Sequence, residues 1–238
     1  MSTERREEIE SGLQEVRARI AAACRACGRQ ADDVRLIVVT KTYPASDVAI
    51  LADLGVHDVA ENREQEGRSK AAEVRLLRPH SDLRWHMIGQ LQRNKCASVA
   101  RWADDVESID RLALVDPLAR AAMGRSIPLD VLIQVNLDEE VRTGRGGVGI
   151  ADLDDLVAAV DRAAPLRLRG VMGVAPQAGD ARAAFDRLRT AAATIVATHP
   201  DATVLSAGMS GDLEEAIAAG STQVRIGSAV LGPRISGR

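Results

Sequence analysis

The stretch Leu36-Ile37-Val38-Val39-Thr40, followed directly by Lys41, sets the fold class predicted for this chain. Its length and its β-branched side chains are typical of a buried β-strand, and Pro44 indicates that the strand ends before it. A lysine at the carboxyl end of a buried strand is costly unless it has a partner or a chemical task. Partial burial makes the amine of a lysine a nucleophile toward aldehydes. The alternative is a lysine that only extends its charge to solvent.

Strand-like runs alternate with helix-like runs along the chain. Eight segments have the apolar content and the length of strands: 35–40, 57–60, 84–88, 105–109, 129–135, 168–174, 203–206 and 223–226. Helices are predicted between them, and Ser46, Asp110 and Ser210 are predicted to cap three of these helices. Eight strand–helix units without a long linker predict an α/β fold, a (β/α)8 TIM barrel.

An amphipathic helix is predicted before the first strand. One apolar stripe recurs at spacings of three and four over about residues 4–27: Ile9, Leu13, Val16, Ile20 and Cys24. No segment rich in glycine, serine and proline separates two halves of the chain. Residues 1–238 are therefore predicted to form a single barrel domain with this extra helix.

The composition is that of an ordinary globular protein, with 46% hydrophobic and 27% charged residues and a net charge of −3. Aromatic residues make up only 2%, so base stacking is not expected and nucleic acid is not a predicted partner. No membrane span and no signal peptide are expected. Three cysteines without export signals predict free thiols in a reducing cytoplasm.

Polar residues and glycines collect at the predicted carboxyl ends of the strands, where barrel enzymes place their chemistry. Beyond Lys41, these ends supply Glu61-Asn62, His86, Ser206–Ser210 and Arg225–Ser228. Small residues and helix N-termini after strands seven and eight predict an anion site of the kind that holds phosphate. A nucleophilic lysine beside a phosphate site predicts an aldehyde that carries phosphate, either pyridoxal 5′-phosphate (PLP) or a sugar phosphate.

Arg225 distinguishes between kinds of cofactor chemistry. It lies two residues before Gly227 on the last strand, so its side chain can point into the barrel mouth. Many PLP enzymes place a carboxylate near the pyridinium nitrogen so that the ring acts as an electron sink. An arginine, always charged, would keep that nitrogen unprotonated and weaken the sink. The alternative is a salt bridge that lines the barrel or an interface.

Several ordered motifs together resemble one family. The segments are Val39 to Thr42 with Pro44, Ala60 to Asn62, Trp85 to Gly89 with Leu91 to Lys95, Ser108 to Asp110, Val135-Asn136, Gly208 to Ser210 with Asp212, and Val224 to Ser228. This set resembles the pyridoxal phosphate homeostasis proteins from about residue 9 to 232. Departures are modest: Val59-Ala60 stands where the family usually has Phe-Gly, and Ala207 stands where it often has Met.

The resemblance implies a barrel like the N-terminal domain of bacterial alanine racemase, which is PLP fold type III, with PLP held as a Schiff base on Lys41. By matching position, Asn62 would lie near the ring and Arg225 would face the pyridine nitrogen. The phosphate would be held by Ser206, Met209, Ser210, Gly227 and Ser228. No catalytic residue and no metal ligand is implied. The family is thought to buffer or deliver PLP, which makes PLP-dependent apoenzymes candidate recipients and a monomer or weak dimer the expected assembly.

Two alternatives remain open. The first is a PLP-dependent racemase or decarboxylase of a small amino acid. A chain that ends at Arg238 is expected to lack the second domain that gives alanine racemase its catalytic tyrosine, which leaves His86 as the candidate second base. The second is a Schiff-base aldolase without PLP. The role of the Gly144–Gly149 loop is open, and Cys24 and Cys27 are expected to pack on the first helix rather than bind metal.

Overall fold

The computed structural model describes residues 3–138 and 146–233, and its central element is a closed barrel of eight parallel strands. The strands are β1 (Arg35–Val39), β2 (Asp58–Glu61), β3 (Arg84–Met87), β4 (Asp105–Ile109), β5 (Leu129–Gln134), β6 (Leu166–Met172), β7 (Val204–Ser206) and β8 (Gln223–Ile226). They pair in chain order, and β1 closes the barrel against β8 with Ile37 opposite Arg225. The eight predicted strands are confirmed, with ends that differ by at most two residues.

Helices follow the strands around the outside of the barrel. They are α1 (Thr3–Ala26), α2 (Ala45–Asp53), α3 (Glu64–Leu77), α4 (Cys96–Val99), α5 (Val115–Ala122), α6 (Leu153–Asp161), α7 (Ala181–Thr198), α8 (Leu213–Ala218) and α9 (Ser228–Leu231). Within the described ranges, none of these helices has the combination of length and apolar character that crossing a bilayer requires.

The predicted helix caps are wrong at all three positions. Ser46 lies inside α2, which starts at Ala45 with Pro44 in extended conformation as its N-cap residue. Asp110 precedes a short 3-10 turn whose cap is Arg111, and α8 begins after Asp212 rather than Ser210. A side-chain cap is present at Asp180, whose carboxylate accepts the backbone N–H groups of residues 182 and 183 at the start of α7.

Strand alternation divides the apolar side chains into two layers. Outward residues such as Val38 and Val59 join the large core between the barrel and the helices. A second, small cluster lies inside the barrel and consists of Ile37, Val39 and Ala60, with Ile88 packed against it. This apolar cluster lies on the side of β1 and β2, and much of the remaining interior carries polar side chains.

The first helix is held against the last two helices. The predicted apolar stripe of α1 is confirmed, since Ile9, Leu13, Val16, Ile20 and Cys24 are all buried. Polar contacts reinforce this packing: the guanidinium of Arg5 donates to the carbonyl of Leu231 at 2.9 Å, and that of Arg19 donates to the carbonyl of Ser210 at 3.0 Å. The N-terminal helix thus contacts the segments that follow β7 and β8.

Gly12 marks the closest approach of α1 to α9. A Cβ atom built there would lie 2.5 Å from the carbonyl oxygen of Val230. We expect Gly12→Ala to lower the free energy of unfolding by about 1–2 kcal/mol, because overpacking outweighs the roughly 1 kcal/mol that alanine contributes to helix propensity. Urea denaturation measures the change, with the exposed Ser11→Ala as control. A more stable Gly12→Ala protein would contradict this packing.

Candidate functional site

The residues predicted to form the site come from four neighbouring strands. Lys41 follows β1, Asn62 follows β2, the segment 206–210 ends β7, and the segment 225–228 ends β8. Because the barrel order is β7-β8-β1-β2, these four carboxyl ends form one continuous arc of the mouth. The structure therefore brings the predicted positions to the same side of the barrel opening.

Lys41 lies on a tight turn with strained backbone. The turn is closed by a hydrogen bond from the N–H of Tyr43 to the carbonyl of Thr40, 3.1 Å long. Between them, Thr42 has a φ of 70°, in the left-handed region that β-branched residues avoid. Such strain costs on the order of 1–3 kcal/mol and persists only where surrounding contacts enforce it. The partly buried Lys41 side chain is thus attached to an enforced backbone geometry.

A buried charge cluster enforces this turn. The carboxylate of Glu66 accepts the backbone N–H of Thr42 at 2.5 Å, and the ammonium of Lys70 donates to the carbonyl of Thr40 at 2.7 Å. Lys70 also pairs with Glu61 at 2.7 Å and with Glu66 at 3.0 Å. Burial raises the pKa of the Glu61 carboxyl, against the opposing charge of Lys70. Lys70, on α3, therefore holds the backbone on both sides of Lys41.

Removing the acceptor for Thr42 tests this arrangement. We expect Glu66→Ala to lower the free energy of unfolding by about 1–2 kcal/mol, because the Thr42 N–H loses its partner. Adding Thr42→Gly should then restore roughly 1 kcal/mol, since glycine adopts positive φ without strain. Urea denaturation measures the cycle, and the exposed Glu73→Ala on the same helix serves as control. A loss of stability on Thr42→Gly in both backgrounds would show that the turn carries no strain.

The segments after β7 and β8 present small residues to the mouth. Gly208 has a φ of +98°, and its carbonyl accepts the N–H of Arg225 at 2.9 Å, which joins the two strand ends. The N–H of Met209 donates to the carboxylate of Asp212 at 2.6 Å. Gly227 lies against β1, where an added Cβ would come within 3.1 Å of the carbonyl oxygen of Val39. These contacts bring the ends of β7, β8 and β1 close together.

Exposure differs among the residues predicted to hold phosphate. Met209 and Ser228 are exposed, and Ser210 and Gly227 are partly exposed, so these four reach the surface of the mouth. Ser206 differs from the expectation: it is fully buried, and its hydroxyl donates to Glu107 at 2.6 Å. The reason is alternation along the short strand β7, which directs this side chain into the barrel interior.

Asn62 lies at the end of β2, partly buried, next to the loop that follows β3. The backbone of this loop approaches it so closely that a Cβ at Gly89 would lie 1.9 Å from the carbonyl oxygen of Asn62. Only glycine fits there, so the two loops are packed backbone to backbone. This contact fixes the position of Asn62 on the arc next to Lys41.

Arg225 is anchored at the top of the barrel interior. Its guanidinium donates to the hydroxyl of Ser206 at 2.5 Å and to the carbonyl of Gly173 at 2.9 Å. The Glu107 carboxylate lies 4.0 Å away. Burial lowers the pKa of the guanidinium, and the carboxylates of Glu107 and Asp212 oppose that effect. Ser206 therefore links this cation to the charged groups below it.

Sequence reasoning missed a column of charged groups inside the barrel. His86 is buried between two carboxylates: its Nδ1 lies 2.9 Å from Glu107 and its Nε2 lies 3.0 Å from Asp58. Gln223 also donates to Glu107, at 3.1 Å. Polar residues at alternate positions of β4 were the available signal, since Asp105 and Glu107 share one face of a strand. The described residues contain no group of three or more His, Cys, Asp or Glu side chains arranged to hold a metal ion.

With Asp58 and Glu107 ionised, as their lowered pKa values indicate, the two hydrogen bonds of His86 need a charged imidazole, because only the protonated ring donates from both nitrogens. Burial disfavours that charge, but the bonds to Asp58 and Glu107 outweigh it and raise the pKa of His86 to about 10. Burial would also raise the pKa of Glu107, yet the hydrogen bond from His86 leaves it below its usual range. The ring is thus a structural cation, which removes it from the role of a second catalytic base.

A pH dependence of stability follows from this cation. Because the pKa of His86 is near 6.5 when unfolded and about 10 when folded, folding takes up a proton between those values. The contribution is complete below pH 6.5 and is lost as the pH rises toward 10. We expect the free energy of unfolding to fall by up to about 1.4 kcal/mol per pH unit from pH 7 to 9.

Urea denaturation at several pH values measures this slope, and nitrogen-15 NMR of the imidazole rings reports their charge directly. His57→Gln, which removes an exposed ring paired with Asp82, should leave the slope unchanged. A His86 ring that titrates near pH 6.5 would contradict the assignment.

The loop Gly144–Gly149 lies partly outside the described residues, which resume at Gly146. Gly147 has a φ of +124° and its backbone lies against Asn136, after which Val148 pairs with Val135.

Cys24 is buried on α1 and Cys27 is exposed, and both are free thiols.

Comparison with known proteins identifies the family. Residues 12–234 match the family model for the N-terminal domain of alanine racemase. The pyridoxal phosphate homeostasis protein of Mycobacterium leprae is 42% identical over 244 residues, which covers 97% of this chain and 94% of that protein. The chain belongs to the pyridoxal phosphate homeostasis protein family. The member from Escherichia coli strain K12 is 40% identical over 95% of this chain and 97% of its own length.

Solved structures agree with the family assignment. PipY from Synechococcus elongatus, a family member determined with PLP bound, superimposes with a TM-score of 0.79 at 30% identity over 94% of this chain and all of that one. Alanine racemase from Corynebacterium glutamicum has a TM-score of 0.68 at 14% identity, covering 98% of this chain and 62% of that one. The fold is therefore the alanine racemase-type α/β barrel of PLP fold type III, and the curated homologues are named for homeostasis rather than for a reaction.

Proposed function

We propose that this chain binds PLP covalently through Lys41 and acts as an intracellular carrier or buffer of PLP rather than a turnover enzyme. The observation that carries the proposal is the enforced turn at the end of β1. It fixes the Lys41 backbone at the mouth, next to the small-residue segments after β7 and β8. The names of the homologous proteins and the PLP-bound PipY structure support the same cofactor.

The residues at the mouth fit the two functional groups of PLP. This cofactor supplies an aldehyde that condenses with a primary amine, and a phosphate monoester. In this proposal the Lys41 amine is the tether. The hydroxyl groups of Ser210 and Ser228 and the backbone around Met209 and Gly227 hold the phosphate. The close backbone packing at Gly227, where a Cβ would approach Val39, supports a cradle that a larger side chain would fill.

Arg225 and Asn62 have assigned roles at the ring in this proposal. Arg225 faces the pyridine nitrogen, and as a permanent cation it keeps that nitrogen unprotonated. Ser206 acts on Arg225 rather than on phosphate, because its hydroxyl accepts from the guanidinium and donates to Glu107. Asn62, fixed against Gly89, lies beside the ring.

The two side chains that could act as a catalytic acid or base, His86 and Tyr43, already form hydrogen bonds with other groups. His86 uses both ring nitrogens inside the barrel, 2.9 Å from Glu107 and 3.0 Å from Asp58. Tyr43, two residues after Lys41, donates its hydroxyl hydrogen to the carbonyl of Gly232 at 2.6 Å. A racemase needs a second base on the opposite face of the cofactor, and neither group is free to supply it. These contacts support a carrier.

Spectroscopy of the purified protein tests the tether. We expect visible absorbance that changes on borohydride reduction, and a pyridoxyl group on the peptide that contains Lys41. Lys41→Ala should abolish both signals, because the amine is lost. Lys95→Ala, which removes a half-exposed lysine, should retain both. A reduced pyridoxyl group on any other lysine, or none at all, would refute the central claim.

Two further measurements separate the proposal from its rivals. The first is racemisation or α-proton exchange with added amino acids. If this activity is present and is lost in Lys41→Ala, the protein is a PLP-dependent racemase and the carrier function is contradicted. A colourless protein in which borohydride traps a substrate aldehyde or ketone would establish a Schiff-base aldolase. The carrier predicts neither outcome, and it predicts transfer of PLP to an added apoenzyme.

The proposal also covers the cellular compartment and the oligomeric state of the protein. It places one barrel domain, residues 1–238, in the cytoplasm as a monomer or weak dimer, with PLP-dependent apoenzymes as recipients. Support for the reducing compartment comes from the thiols of Cys24, Cys27 and Cys96, which are unpaired among the described residues.

A further inference from the structure

A second charged cavity lies at the floor of the barrel, at the end opposite the mouth. It has a volume of about 190 Å³ and is bordered by the first residues of five strands, β1, β3, β4, β7 and β8, and by early residues of β5 and β6. Its ionisable lining consists of four arginines and two aspartates: Arg35, Arg84, Arg167, Arg169, Asp105 and Asp130. The cavity therefore has more cationic than anionic groups around it.

Two of the arginines are committed to the two aspartates. Arg84 donates to Asp105 at 2.5 Å and to Asp130 at 3.1 Å. Arg167 donates to Asp130 through two nitrogens, the longer contact being 2.9 Å. Asp130, which is 4% exposed, accepts three hydrogen bonds and has little capacity for another partner. These four residues balance one another in charge.

The other two guanidinium groups are less completely paired. Arg169 forms no hydrogen bond or ion pair with any residue in the ranges 3–138 and 146–233. Arg35 lies 3.6 Å from Asp58, but that carboxylate is already bound to His86. The Nε atom of Arg84 is buried and also without a hydrogen-bond partner in the described part of the chain. One guanidinium unpaired among the described residues, a second that shares its carboxylate with His86, and one buried donor thus lie around the same small space.

We infer that this cavity is a binding site for a small tetrahedral oxyanion, with inorganic phosphate as the ligand. A phosphate dianion would balance the charges of Arg35 and Arg169 and accept the unused N–H of Arg84. Guanidinium groups present paired donors that match such oxyanions. The volume accommodates a phosphate ion with a few waters. The inference is independent of PLP binding, because none of these residues belongs to the mouth.

Phosphate titration of matched variants tests the site. Wild type, Arg169→Gln and Arg162→Gln are compared by thermal unfolding and by phosphorus-31 line broadening, with chloride at matched ionic strength. Arg162→Gln removes an exposed arginine that caps the C-terminal end of α6 and changes the net charge by the same amount. Each titration is repeated on protein saturated with PLP and reduced with borohydride, so that any phosphate bound at the mouth is displaced.

The expected result is saturable binding in wild type and in Arg162→Gln, with and without PLP, and an affinity about tenfold weaker in Arg169→Gln. Equal affinity in all three proteins would overturn the inference, as would a response that never saturates. If Arg169→Gln unfolds at a markedly lower temperature without phosphate, Arg35→Gln replaces it under the same criteria. Loss of the phosphate signal only on adding PLP would assign the ion to the mouth and also overturn the inference.

Discussion

The paired hydrogen bonds of the His86 imidazolium are the interaction on which the barrel interior depends. Two carboxylates, Asp58 and Glu107, remain ionised in the interior chiefly because this cation lies between them. Glu107 in turn accepts from Ser206, and Ser206 accepts from Arg225. The position and charge of the guanidinium at the mouth are therefore determined by groups deep in the barrel. A change at any member leaves a buried charge without its partner.

On the other side of the mouth, the Lys41 turn is held in a strained conformation by contacts from outside the barrel, not by charged groups inside it. There the strands contribute apolar side chains such as Ile37 and Val39, which offer no polar group to position Lys41. The structure instead uses a second lysine, Lys70, buried on α3, to hold the turn from outside the barrel. The two lysines differ in kind: one is fully committed to carboxylates and a carbonyl, and the other extends from the turn that results.

The sequence predicted the fold because its signals are local. Each strand is a short apolar run, and the α1 stripe repeats with helical spacing, so neither depends on knowing the rest of the structure. The same reasoning located Lys41, Asn62 and the ends of β7 and β8 on one arc, since barrel topology places all strand ends together.

The details that sequence did not predict depend on strand register and on contacts between distant segments. The inward direction of Ser206, and hence its bond to Glu107 99 residues away, follows from how β7 aligns with its neighbours. The charged column and the strained Thr42 likewise need partners on other strands or helices. The helix caps were missed because Pro44 and short 3-10 turns shift the first helical residue.

The docking of α1 has a consequence for how the protein is made. This helix is synthesised before the barrel strands, yet the carbonyl groups that its arginines bind belong to Ser210 and Leu231, which are added 191 and 226 residues after Arg19 and Arg5. The barrel likewise closes only after β8 has been synthesised, because β1 pairs with β8. The apolar stripe of α1 thus stays uncovered through most of synthesis, a period in which chaperones protect nascent chains. The mouth cannot be completed before β8 is synthesised, so a chain shortened before β8 would lack the site even with Lys41 present.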